Sequence, residues 1–294
     1  MSGPPDPGPG IAPGPARPGA RPRAPLSWRV EAWRQLRRRR TIWAFVLLLA
    51  LPLVLVAGFA MGRGGAGPPS GARLSDYAQL GAANFAVFAV FASAEFLLVV
   101  LAALFAGDPV PSEASWSTLR YLLVAPVSRA RLLSSTLVVA VATTALAVVV
   151  LVGWSLLVGA VAYGAAPFTN PAGGVLPWSE LGPRLAVATA YLVVTLVQVG
   201  AIAFWFGVRT DAPLGAVGGA VLVTIIASIL GQLESLGEWR NALPMHYSRA
   251  WVDLLSPGGV DWTAMTRGTL WSLLYAAVFV ALAYRHFRRK DVLS

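Results

Sequence analysis

From Leu132 to Ser179 the chain carries no charged side chain, and further uncharged runs fill 41–62, 77–94, 96–107, 185–208, 212–233 and 268–284. A helix that crosses a bilayer needs about 20 apolar residues at about 1.5 Å rise each, and these runs have that length. The second half of 132–179 holds Gly164, Pro167, Pro171, Gly173, Gly174 and Pro177, so it reads as one helix followed by a loop. The pattern predicts an all-α membrane protein with six transmembrane helices, over 41–61, 78–106, 134–162, 184–207, 214–233 and 264–284. Only 12% of residues are charged, half the proportion of about a quarter usual in a soluble domain.

The basic residues predict which side each loop faces, because short cytoplasmic segments are enriched in Lys and Arg. Nine Arg precede residue 41, and with the N-terminus inside, 17 of the 23 basic residues fall on inner segments. Both termini are therefore expected in the cytoplasm, in a multi-pass protein of the cell membrane. Nine of the eleven Trp then fall near a membrane surface, where amphipathic rings are favoured. The run Arg37 to Arg40 abuts the first span, so it reads as a topology signal or a contact with anionic lipid, not a nucleic-acid site. The first apolar run starts too late and runs too long for a cleaved signal peptide.

Residues 1–25 hold nine Pro and five Gly and read as a disordered cytoplasmic tail. Over 26–40, Leu26, Val30, Trp33 and Leu36 recur at helical spacing, which fits an amphipathic interfacial helix or a plain extension of the first span. The six-helix transmembrane domain occupies 41–284, and 285–294 reads as a basic cytoplasmic tail. In the loop 107–133, Ser112 can cap a helix with Glu113 in its first turn, and Pro126 stops it. Trp116, Leu119, Leu122 and Leu123 share one face of that helix, and Arg120 lies on another. Such a face is buried either on lipid or in a partner's groove. Residues 234–262 are aromatic but broken by Pro and Gly, and predict short helices on or dipping into the outer surface.

The 107–133 loop and the tail together resemble the membrane subunit of type-2 ABC exporters. The residues that carry the likeness are Glu113, Thr118, Leu119, Leu122, Leu123, Pro126, Val127, Ser128, Arg129, Leu132 and Leu133, with Ser117 where that family prefers Gly. Pro244, His246, Tyr247, Trp251, Asp253 and Leu254, and the ending Phe287 to Asp291, are similar to one branch of it. The resemblance implies a permease that pairs with a separate ABC ATPase subunit and a second permease chain, identical or not. It assigns ATPase coupling to Glu113, Trp116, Leu119, Arg120 and Leu123, and places ATP and magnesium on the partner. No GxxxxGK[ST] phosphate loop occurs in the chain, and its one lysine, Lys290, precedes Asp291.

Two small-residue pairs, Gly58 with Gly62 and Gly215 with Gly219, permit close helix approach, either in a dimer or within one chain. Glu95 is an acid inside the second span, where a carboxylate costs about 2.5–3.5 kcal/mol unless paired, protonated or wet. It reads either as a cation or proton site or as a neutral acid bonded to a neighbouring helix. The sequence offers no catalytic set: Cys is absent, and His246 and His286 fall on opposite predicted sides. No metal site or resident cofactor is expected. An ATP-independent transporter or channel is the alternative, marked by interrupted helices and midplane charges.

Overall fold

The computed structural model describes residues 28–62, 74–115, 129–171, 173–210, 212–256 and 260–289. In chain order the helices are α1 (Trp28–Arg37), α2 (Arg39–Gly62), α3 (Leu74–Ala78), α4 (Ala82–Ala94), α5 (Leu97–Gly107) and α6 (Pro109–Ser115). They continue as α7 (Arg129–Tyr163), α8 (Trp178–Arg209), α9 (Pro213–Leu230) and α10 (Trp262–Arg289). Between α7 and α8, β1 (Phe168–Thr169) pairs antiparallel with β2 (Val175–Leu176). Two 3-10 segments, Glu234–Ala242 and Ala250–Leu255, join α9 to α10.

Among the described residues five helices are long and apolar enough to cross a membrane: α2, α7 from Leu133 on, α8, α9 and α10. There are six if α4 and α5 count as one span bent by 55°. This content fits a multi-pass membrane protein. The sequence pattern predicts one straight helix over 78–106; it is instead interrupted at Glu95 and Phe96.

The bundle is organised around α8, which packs against α5, α7, α9 and α10. Helix α5 is apolar on every side, with Leu98, Leu101, Ala102, Phe105 and Ala106 all buried, as a central helix requires. Its crossing with α8 is close because both helices put small residues there. A Cβ built on Gly207 would lie 2.6 Å from the Gly107 carbonyl oxygen, and one on Gly107 would lie 3.2 Å from Ala203. By contrast α2 exposes Ile42, Trp43, Leu47, Leu53 and Val54, a surface suited to lipid or to another chain. Pro52 sits inside α2 and removes a backbone donor. Near that point the Trp154 indole N–H donates to the Leu49 carbonyl at 2.9 Å, tying α2 to α7.

The chain ends define two ends of the bundle. One carries the start of α2 and the C-termini of α5, α8 and α10, and is rich in arginine; the other carries the β1–β2 hairpin. Helix α10 runs to Arg289, so residues 285–289 of the expected basic tail are helical. Phe287 is buried and continues the packed face of Ala283, while Arg288 and Arg289 in the last turn favour the negative end of the dipole. At its other end Asp261 accepts the Thr263 backbone N–H at 2.8 Å. Hydrogen bonds from the Thr263 side chain and backbone hold the Asp261 carboxyl below its ordinary range.

Candidate functional site

At the arginine-rich end, α6 leaves α5 through Asp108, which is buried. Its carboxylate takes Arg40 Nη1 in an ion pair and lies 3.8 Å from Arg38 Nη1. Ser112 Oγ donates to Asp108 Oδ1 at 2.9 Å, and Gln35 Nε2 donates to the Phe105 carbonyl at 3.3 Å. The start of α6 is thereby fixed to α1 and α2. A buried carboxylate between two guanidiniums is costly to break, because the partner charges are left uncompensated. Asp108→Asn is expected to destabilise the solubilised chain by about 2 kcal/mol, seen as a lower unfolding temperature. An unchanged temperature would show that water already screens the cluster.

Glu113 falls on α6, with its side chain outside the described residues; Trp116, Leu119, Arg120 and Leu123 also lie outside them. The glycine pairs differ from each other. A Cβ on Gly58 or Gly62 meets nothing within 4 Å. On Gly215 and Gly219 it meets Thr210 and Ala212, and the Phe206 ring, all of the same chain. The α9 pair is thus used for packing against its own α8 and the preceding turn, while the α2 pair remains open.

The second cluster lies half-way between the two ends. Along the two half-helices Glu95 stands about 18 Å from Gly107 and about 20 Å from Ala82. Arg249 donates through Nε and Nη2 to the two carboxylate oxygens of Glu95, the latter at 2.6 Å, in a fork-to-fork pair. Its guanidinium also lies 5.5 Å from the centre of the Phe91 ring. The acid in the span is therefore paired, with an arginine from the α9–α10 connection.

That connection does not rest on the end of the bundle. Trp251, Leu254 and Leu255 are buried, and Gln198, well inside α8, bonds the Met245 sulfur. Irregular backbone at such depth needs its carbonyls satisfied by protein. Tyr275 Oη donates to the Ala242 carbonyl at 2.6 Å and Tyr191 Oη to that of Tyr247 at 2.7 Å. Arg184 Nη1 donates to the Leu254 and Ser256 carbonyls, and Asn170 Nδ2 to that of Leu255. Met245 has φ 65°, a left-handed conformation that a side chain rarely adopts and that the surrounding bonds hold. Residues 243–256 form a wedge built into the bundle, whereas the 3-10 segment Glu234–Ala242 before them buries no side chain.

Two cavities adjoin the wedge. One, of about 400 Å³, is lined by Glu95, Ser228, Gln232, His246, Ser248 and Arg249 together with apolar residues of α9. The other, of about 420 Å³, is largely apolar and lies between α3, α4, the hairpin and the second 3-10 segment. Among the described residues no three His, Asp or Glu side chains gather as a metal ion would require.

A family model covers most of this architecture. The model described as protein of unknown function DUF2705 matches residues 75–293, from α3 through α10. The chain belongs to the DUF2705 family. The matched region of this DUF2705 protein holds Glu95, Asp108 and Arg249, whereas α1 and α2 precede it. No curated protein matches the chain.

Sequence reasoning missed two residues of this DUF2705 chain. Asp108 has a signal of its own: an acid directly after an apolar run, in a chain with the basic run Arg37 to Arg40. The signal of Arg249 is weaker: one cation in an aromatic stretch, in a chain with one acid inside a span.

Proposed function

We propose that this protein is the membrane-spanning permease subunit of an ATP-driven exporter of the type-2 ABC class. In this reading six spans, with α4 and α5 as one bent span, cross the cell membrane, and both termini lie in the cytoplasm. Helix α1 rests at the inner interface and α6 opens the segment that seats in a separate ATPase subunit. A second permease chain, identical or related, completes the assembly, and the open face of α2 at Gly58 and Gly62 is the interface offered to it. ATP and magnesium act on the partner.

One observation supports this most: the segment with the coupling motif departs from α5 through a buried anchor. Asp108 joins α5, α6 and the α1–α2 junction, so a displacement of α6 would be passed to a central helix and to α2. In the test, the chain is co-expressed with its ATPase, and Glu113→Lys or Arg120→Glu is expected to lower recovery of the complex about tenfold, a change of about 1.4 kcal/mol. Unaltered recovery, or full transport in nucleotide-depleted vesicles, would overturn the reading.

A second reading, an ATP-independent transporter, is favoured by the interrupted α4–α5 span with a charged pair at its break. Substrate flux that persists without nucleotide and follows an ion gradient would select it.

A further inference from the structure

The polar cavity beside Glu95 carries a chemical signature that packing does not explain. Ser228, Gln232, His246 and Ser248 line it, and none of their side chains forms a hydrogen bond with the described residues. Gln232 is exposed, Ser228 and His246 are half-buried and Ser248 is buried, so the wall offers open donors and acceptors to an incoming polar group. Ile229 in the wall and Phe96 and Ile226 next to lining residues in the chain are exposed, so the polar crevice has apolar surface beside it that suits a ligand with an apolar part.

The charges choose its head. Glu95 and Arg249 neutralise each other, so a purely anionic head that captured Arg249 would strand Glu95, and a purely cationic one would strand Arg249. Either leaves one of the two charges without its present partner. A zwitterionic head exchanges one internal pair for two new ones and strands nothing. The neighbouring cavity receives the rest. Phe91, which the Arg249 guanidinium covers, also lines the apolar chamber with Tyr77, Val87, Phe88, Phe168 and Trp251. Both volumes fall in the range of roughly 300–1,000 Å³ typical of small-molecule sites.

We propose that the Glu95–Arg249 crevice and the aromatic chamber above it form one binding site for a zwitterionic amphiphile. The anionic group sits on Arg249, the cationic group on Glu95, and the hydrocarbon part among the rings of the chamber. The proposal deepens the permease reading by giving its cargo a chemical class. Its test uses neither nucleotide nor ATPase, so loss of binding and loss of coupling are read separately.

The chain has no cysteine, so Gln232→Cys in the full-length protein gives a single attachment point for an environment-sensitive fluorophore at the crevice wall. In micelles of a non-ionic maltoside at fixed concentration the labelled protein is titrated with dodecylphosphocholine, dodecyl phosphate and dodecyltrimethylammonium, which share one tail. The zwitterion is expected to bind about tenfold more tightly than either single charge. The double variant Glu95→Gln/Arg249→Gln, which keeps both shapes and removes both charges, is expected to abolish that preference. Val87→Trp, which fills the chamber, is expected to weaken dodecylphosphocholine and leave glycerophosphocholine, the head alone, unchanged.

Equal affinity for the three heads, or a preference that survives in the double variant, would overturn the proposal. So would a label that thiol-sized quenchers reach in the monomer but not in a dimer, which would assign the face to a second copy of the chain.

Discussion

Arg249→Leu is expected to destabilise the purified chain by about 3 kcal/mol, far more than the loss of one surface ion pair. The substitution leaves the Glu95 carboxylate at the interruption between α4 and α5 without its fork of donors. Glu95→Leu alone strands the guanidinium and is expected to cost a similar amount. The double replacement removes both charges together, so neither is left without its partner, and it is expected to recover most of the loss. Denaturant titration of all four proteins in the same micelle gives the coupling directly. Strictly additive losses would show that the two groups do not stabilise each other.

Gly268→Val is expected to displace the wedge. A Cβ at this position overlaps Tyr191 Oη and lies 2.7 Å from the Tyr247 Cβ. Tyr191 Oη is the donor that satisfies the Tyr247 carbonyl, so the substitution pushes apart the two groups whose bond holds the irregular backbone in place. Overpacking and the lost bond together are expected to cost about 3 kcal/mol. Tyr191→Phe in the same chain removes the oxygen that is overlapped and is expected to return about 1 kcal/mol, although the bond stays lost. Protease accessibility of the 243–256 segment reports the displacement independently of melting. A Gly268→Val protein as resistant and as stable as the parent would show that the wedge is not held at this point.

What was legible in the sequence follows from the length scale of each signal. The apolar runs predict helices over 41–61, 134–162, 184–207, 214–233 and 264–284, and α2, α7, α8, α9 and α10 occupy those stretches. A run of about 20 apolar residues has few other uses. The interruption at Glu95 was not legible, because its partner Arg249 lies 154 residues away and no local pattern links them. The far end of α10 was read as a tail from its charges alone, yet arginine is a good helix former and Phe287 supplies the buried contact that extends the helix. The β1–β2 hairpin was read as loop, since strands of two residues leave no alternation to count. Spacing alone also made Gly58/Gly62 and Gly215/Gly219 look alike. Only the packing of Phe206 against Gly219 separates them.

Helix α7 runs without interruption from Arg129 to Tyr163, 35 residues, or about 52 Å. It is the stiff member of a pair whose other member, α4–α5, is jointed in the middle. A rod of that length transmits a tilt of one degree as a displacement of roughly 1 Å at its far tip. A push on the 129 terminus would be carried along the rod to the hairpin end, and the break at residues 95 and 96 is where the bent neighbour would absorb a mismatch. The molecule is in that sense a see-saw with one solid plank and one folding plank, and the fold line passes through the Glu95–Arg249 pair.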